Sequence, residues 1–220
     1  MPKAFTEHEN ELIGKRLLEQ GYKLFSVYGL KKTNIDEIAK AVGISKGAFY
    51  KFYESKEALF MDVIEQVEIR VRKEILVVID LPGPTPRARL LAILKKAFTL
   101  FKTIPILQFF TGSDYELLFR RIPAEKLQEH LASDKVFLDE LIAHCKSAGI
   151  PMRAEPEQII GLLYPLVLSI LHENDLGLDN YSSGIDILLE LVAAFCLGEV
   201  MMQSQKPGSL VPDSVEGNLI

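Results

Sequence analysis

The chain has 220 residues, of which 48% are hydrophobic, and a formal net charge of −5. This length and apolar content predict a globular protein of one or two domains with a sizeable core, and they exclude a disordered chain. Residues 1–56 nevertheless carry ten Lys and Arg against seven Asp and Glu, an excess that favours an anionic partner for this quarter of the chain.

Cysteine content and apolar runs set further bounds. Two cysteines are too few for a disulfide framework, and the N-terminal residues lack the apolar stretch of a signal peptide. The longest apolar run, residues 159–171, has thirteen residues, whereas a membrane span needs about 20. We therefore expect a cytoplasmic protein with reduced thiols and no membrane partner.

The first predicted element is an amphipathic helix that ends at Gly29, a residue that can adopt the left-handed conformation. Its apolar face has the three-and-four spacing of a helix, with Ile13, Leu17, Gly21, Leu24, Phe25 and Tyr28 in line.

Two short helices follow. Thr33 is the predicted N-cap of the first, with Asp36 in a position like that of a capping box, and Gly43 ends it. Ser45 is the predicted N-cap of the second, which is too short to be stable alone. Phe49 and Tyr53 lie four residues apart and so share one of its faces.

Ser55 is the predicted cap of a long helix. Its apolar stripe continues through residues 75–80, which alone would also suit a strand, so we extend the helix to about residue 79. The Pro-rich residues 81–86 form a linker. Further helices are predicted at 86–104, 105–112, 114–121, 123–148, 156–174 and 183–203, and the tail 204–220 is expected to be flexible. The predicted class is all-α, with about nine helices.

The arrangement of a helix, a tight glycine turn and a second short helix, preceded by an amphipathic helix, is typical of a helix-turn-helix. The second helix of such a unit enters the DNA major groove with its N-terminus leading. Phe49 and Tyr53 are expected to hold that helix to the first two, while Lys46, Tyr50 and Lys51 face double-stranded DNA.

The order of residues is more specific than the general motif. Residues 10–62 closely resemble the N-terminal domain of the TetR family of bacterial transcriptional regulators. The matching positions are Thr33, Ile38, Ala39, Gly43, Ser45, Gly47, Tyr50, Tyr53, Ser55, Lys56, Glu57 and Leu59. The resemblance implies a homodimeric, all-helical repressor that binds a palindromic operator and releases it when a small molecule binds.

The same resemblance implies roles for individual residues. Those expected to hold phosphates are Thr33, Ser45, Tyr50 and Lys56. Those expected to face base edges or to lie beside them are Lys46, Gly47, Ala48, Lys51 and Phe52. Many family members have His at the position of Phe52 and Phe at that of Tyr53, so the bases that are read stay open.

The implied domains are a DNA-binding domain over 1–55 and an effector-binding and dimerisation domain over 56–203. An apolar ligand cavity in the second would be lined by Phe101, Phe109, Phe119, Phe137, Tyr164 and Leu168. The predicted helices 156–174 and 183–203 are apolar on more than one face, which favours burial against a second subunit. Small residues there, Ala193 and Ala194 among them, would allow close approach, with Cys196 in or near the interface.

Three other interpretations remain. An enzyme is disfavoured, because His144 and Cys145 point about 100° apart on a helix and no metal-ligand spacing or phosphate loop is found. Neither a cofactor nor a metal is predicted. A helical protein-interaction module without DNA binding is the second interpretation, and a TetR-like activator is the third.

Overall fold

A computed structural model describes residues 5–110, 120–122, 124–171 and 181–200. Within these ranges every regular element is a helix, in agreement with the predicted class. None of the helices described there combines the length and the apolar character that a bilayer span requires.

Three helices form the N-terminal unit: α1 (Glu7–Lys32), α2 (Ile35–Val42) and α3 (Lys46–Phe49). Helix α1 begins with a reciprocal cap, because the Thr6 hydroxyl accepts from the Glu9 N–H and the Glu9 carboxylate accepts from the Thr6 N–H. Gly29 interrupts α1 with a φ of 74°, as its sequence position predicts, but three further residues remain helical beyond it.

Helix α4 (Lys56–Ile79) confirms the predicted long helix, including the segment that alone suited a strand. The linker then ends at Thr85, whose side chain caps α5 (Pro86–Thr103), with Pro86 in the first turn where no N–H is needed. A 3-10 helix follows (Pro105–Phe110), shorter than the predicted helix at 105–112. Most of the predicted helix at 114–121 lies outside the described residues.

The remaining helices are α6 (Ala124–Ser147), α7 (Pro156–Leu171) and α8 (Tyr181–Cys196). Helix α8 ends earlier than the predicted residue 203, and Gly198 just beyond it has a φ of 75°. The Arg153 N–H donates to the Cys196 carbonyl at 2.7 Å, which satisfies the end of α8. The predicted tail lies outside the described residues.

Helix α4 is the central element because it packs against α1 on one side and against α5 and α6 on others. Its apolar stripe is buried along its whole length, from Leu59 through Val67 to Ile79. The Arg89 side chain joins two helix ends at the far end of α4, donating to the carbonyls of Ile79 and Ala148. One rigid helix therefore connects the N-terminal unit to the larger domain.

The structure corrects the predicted location of three small residues of α8. Ala193, Ala194 and Cys196 are all 2% exposed or less within a single chain, so they form the core of the protomer and not its outer face. Burial raises the pKa of the Cys196 thiol to about 11, and the nearby Cys145 thiol contributes. The predicted outer face of α8 must come from other residues.

Candidate nucleic-acid interface

The start of α2 differs from the prediction by one residue. Asn34, not Thr33, is the N-cap, and its N–H donates to the carboxylate of Glu37 at 3.3 Å. Glu37 fills the capping-box position predicted for Asp36, because the N-cap lies one residue later than predicted. Both Thr33 and Asn34 are residue types that favour this position, so the sequence alone did not separate them.

Thr33 instead belongs to the end of α1. Its side chain is fully buried, and its hydroxyl donates to the Gly29 carbonyl at 2.7 Å. A buried hydroxyl that donates within the fold does not present itself to a phosphate. The predicted phosphate contact of the Thr33 side chain is therefore replaced by a structural role.

The turn between α2 and α3 has the geometry that the glycine spacing predicts. Gly43 has a φ of 81°, and its N–H and that of Ile44 donate to carbonyls at the end of α2, including Ala39. Ser45 then caps α3, since its hydroxyl accepts from the Ala48 N–H at 3.1 Å. The turn is tight enough to set α3 across α2.

Aromatic side chains hold α3 in place. Phe49 is fully buried, and its ring meets the edge of Tyr50 with centroids 5.6 Å apart. Tyr53 lies half buried beside Phe49, and burial is the main cause of its raised pKa, with a hydrogen bond to Asp62 of α4 contributing. The short helix also packs against α2, and Tyr53 connects it to α4, so tertiary contacts compensate for its length.

The opposite side of α3 faces solvent. Lys46, Lys51 and Tyr50 are exposed there, and Lys46 pairs with Asp36 at 2.8 Å. The hydrogen bond to Asp36 and its charge raise the pKa of Lys46, but an exposed ion pair contributes little to stability, so a phosphate can displace it. At Gly47 an added Cβ would meet only the Ser45 hydroxyl, 4.0 Å away, so the surface is open for a close approach.

Two of the residues predicted beside the base edges point inward. Ala48 is 8% exposed and belongs to the buried side of α3, which corrects its predicted position. Phe52 is half buried and packs against the core, so only part of its ring is accessible. The exposed surface of α3 therefore consists of Lys46, Gly47, Tyr50 and Lys51.

Comparison with known proteins identifies the N-terminal part of the chain. Residues 17–63 match the family model described as bacterial regulatory proteins of the tetR family, and this range holds the whole of α2 and α3. The chain carries an N-terminal domain of the TetR type. The HTH-type transcriptional regulator YuxN of Bacillus subtilis is 32% identical over 127 residues, which are 54% of this chain and 43% of YuxN. The chain thus spans less than half the length of this relative.

The described fold as a whole resembles that of solved TetR-family regulators. A TetR-family regulator from Mesorhizobium loti superposes with a TM-score of 0.59 at 14% identity, covering 89% of this chain and 98% of its own. The regulator FadR of Bacillus subtilis, solved in complex with stearoyl-CoA, gives a TM-score of 0.58 at 17% identity, covering 82% and 97%. At these identities the likeness concerns the architecture alone.

Of the residues that the TetR resemblance assigned to a ligand cavity, the structure describes the side chains of Phe101, Phe137 and Tyr164. Phe101 is half buried, and the Phe137 ring lies 5.0 Å beneath the guanidinium of Arg72. Tyr164 is 50% exposed, so it contributes to the outer surface of α7 and not to a cavity within the protomer. Phe119 and the side chains of Phe109 and Leu168 lie outside the described residues.

One contact between the start of α4 and the larger domain was not predicted. It lies next to the N-terminal unit of α1, α2 and α3, which is called the head below. Glu57, in the first turn of α4, is buried, and its carboxylate accepts from Arg121 at 3.0 Å. The two residues border an open cleft of about 370 Å³ that also reaches Lys46 and Tyr50. Because 64 positions separate Glu57 from Arg121, no local pattern in the sequence could have shown this pair.

Lys56 has a structural task in addition to the predicted phosphate contact. Its ammonium donates to the carbonyls of Leu30, Lys31 and Thr33 at 2.7, 3.2 and 2.8 Å, which closes the end of α1. This arrangement uses all three protons of the ammonium group. Any phosphate at Lys56 would have to compete with these carbonyls.

We expect Lys56→Met to lower the free energy of unfolding by about 1–3 kcal/mol, because part-buried carbonyls lose a charged donor. Urea denaturation followed by circular dichroism measures the change. Lys51→Met is the matched control, since its side chain is exposed, and it should stay within about 0.5 kcal/mol of the original chain. Equal effects of the two substitutions would contradict the capping role.

Proposed function

We propose that the chain is a repressor that binds double-stranded DNA in the cytoplasm as a homodimer and has no catalytic activity. The observation that carries this proposal is the two-sided character of α3 together with the turn that follows it at residues 50–52. Phe49 has no exposed surface, whereas Lys51 two residues later is exposed and cationic. A short helix with this division of character fits a major groove, where its base contacts are made by the first turns.

Phosphate contacts are proposed for the ends of α3. The Ser45 hydroxyl accepts from the Ala48 N–H, and its own proton can donate to a phosphate oxygen. Tyr50 is half exposed and carries a phenol that can do the same. Lys46 adds positive charge. When DNA is bound, its ammonium group can contact a phosphate as well as Asp36. These contacts fix the orientation of α3 on the DNA, and Lys51 is the residue that contacts the bases.

We expect Lys51→Ala to relax the base preference at one position in each half-site. A lysine that reaches guanine acceptors contributes about 1–3 kcal/mol of discrimination, a five- to 150-fold preference. The measurement is a comparison of the base preferences of the variant and of the original chain in selections from a random duplex pool. Base preferences left unchanged by Lys51→Ala would show that Lys51 does not read bases. A Tyr50→Ala variant whose DNA affinity falls by the same factor on all sequences would support the phosphate role of Tyr50.

The outer surface of α7 and α8 supports a homodimer. Large apolar side chains are exposed on both helices of the single chain: Ile160, Tyr164, Ile187, Leu188 and Leu191, each more than 40% accessible. Gly161 and Gly184 have open space where a Cβ would stand, which allows a second copy to approach closely. We propose that these side chains form a four-helix interface with their copies.

Release of DNA is proposed to act through α4. This helix carries the head at its N-terminus and packs on α5 and α6 further along. A small apolar effector bound among the helices of the larger domain would tilt α4 and change the distance between the two copies of α3. That distance must match successive major grooves, about 34–36 Å apart, so affinity for the palindromic operator would fall.

The Arg121 contact supports this route. Its guanidinium forms an ion pair with the buried Glu57 at the first turn of α4, so a displacement of residues 120–122 would act directly on the start of α4, next to the head. A buried carboxylate that loses a charged partner is costly, which makes the pair sensitive to such a displacement. The contact gives the proposed effector response a physical path.

A further inference from the structure

We propose that Glu68, His130 and Asp134 form a binding site for a first-row divalent cation such as Zn²⁺. Glu68 lies on α4, whereas His130 and Asp134 are four residues apart on α6 and share one face of that helix. One ligand atom from each residue lies within 4.8 Å of the other two. This site is separate from the head and does not depend on DNA binding.

The distances within the cluster suit a cation better than direct hydrogen bonds. His130 Nε2 lies 3.5 Å from Glu68 Oε1 and 3.8 Å from Asp134 Oδ2. A hydrogen bond between such groups is about 2.7–3.0 Å long. Two ligands each about 2.1 Å from a zinc ion are about 3.4 Å apart at a tetrahedral angle, which is close to both distances.

Arg72 lies on the outer side of the cluster. Its guanidinium donates to Asp134 Oδ1 at 2.7 Å and to Ser133 at 2.9 Å, and it lies 3.6 Å from Glu68 Oε2. Each carboxylate therefore turns one oxygen toward Arg72 and the other toward His130. The arginine orients both carboxylates, as groups around metal ligands commonly do, while leaving the inward oxygens facing the imidazole nitrogen.

The donor set defines the kind of ion. One imidazole nitrogen with two carboxylate oxygens suits zinc, manganese or iron(II), whereas magnesium prefers oxygen ligands and water. Three protein ligands leave at least one coordination position for water or for a ligand from solution.

The sequence did not reveal this site because its two halves lie far apart. The histidine and aspartate have a spacing that recurs on countless helices, and Glu68 is 62 residues before His130. Only the packing of α4 against α6 brings them together. A bound cation would join the helix that carries the head to the helix behind it.

Calorimetric titration of the tag-free, EDTA-treated full chain with Zn²⁺, Mn²⁺ and Mg²⁺ tests the proposal. We expect one Zn²⁺ ion per chain, weaker Mn²⁺ and little Mg²⁺ binding. His130→Gln and Asp134→Asn should each weaken Zn²⁺ binding by about 100-fold or more, since even groups behind the ligands change affinity by about 10–100-fold. Circular dichroism establishes that each variant is folded, and either folded variant suffices for the test.

His144→Gln is the matched control. His144 lies on the same helix and also faces a carboxylate, with its Nε2 2.8 Å from Oδ1 of Asp80, the residue that follows α4; among the residues that the structure describes, no third ligand joins that pair. It should leave Zn²⁺ binding unchanged. Co²⁺ gives a second readout, a visible absorption band lost on His130→Gln and kept on His144→Gln. Absence of Zn²⁺ binding, or binding that survives both His130→Gln and Asp134→Asn, would overturn the proposal.

Discussion

Replacing Ile187 and Leu191 together by glutamate is expected to convert the proposed homodimer into monomers. The two residues are 62% and 53% exposed in the single chain and lie four positions apart on one face of α8. At a two-fold interface each new carboxylate would be buried opposite carboxylates of the second copy, with no partner to offset the desolvation. Light scattering after size-exclusion chromatography measures the change in mass.

DNA binding should fall with the loss of the dimer. Two linked heads on a palindrome exceed the affinity of one head by about 10²–10⁴-fold, so we expect at least a 100-fold loss in fluorescence anisotropy titrations. Val77→Glu is the control, because Val77 is 65% exposed on α4, outside the proposed interface. A double variant that remains dimeric would show that α8 does not form the interface.

Phe49→Ala is expected to lower the free energy of unfolding of the head by about 3–5 kcal/mol, because it removes a fully buried ring and leaves a cavity. Helix α3 has only four residues and depends on this ring for its position. Thermal and urea denaturation measure the loss of stability. DNA affinity should fall in parallel, since the lysines would no longer be held against the groove.

Tyr50→Ala is the matched control one residue along. Its side chain is half exposed, and its edge contact with Phe49 is worth about 0.5–1.5 kcal/mol. We therefore expect a small loss of stability with a clear loss of DNA affinity. A stability loss for Phe49→Ala no larger than that for Tyr50→Ala would contradict the anchoring role of Phe49.

The fold of the head could be predicted because its determinants are local. Gly43 ends α2, Ser45 and Ser55 cap the next two helices, and each acts within four residues of its position in the chain. The same local rules gave the long α4 and the proline at the start of α5. They could not decide between Thr33 and Asn34 as N-cap, because both residue types fit and tertiary burial of Thr33 made the difference.

The interior and the outer face of α8 could not be separated from the sequence. That helix is apolar nearly all round, so Ala193 and Cys196 looked as suitable for an interface as Ile187 and Leu191. Their assignment depends on which side meets α5, and that is a property of the packed chain. Likewise, Glu57 with Arg121 and Glu68 with His130 are joined by folding across more than 60 residues.

The most direct test of DNA recognition by paired α3 helices is a selection of bound duplexes from a random pool by the intact chain. We predict an enriched palindrome whose half-sites are centred about 10 base pairs apart or a multiple of that distance. Binding to it should weaken steeply as salt is raised, because the lysines displace counterions from phosphates. A chain that enriches no sequence and ignores duplexes even at low ionic strength would contradict the proposal.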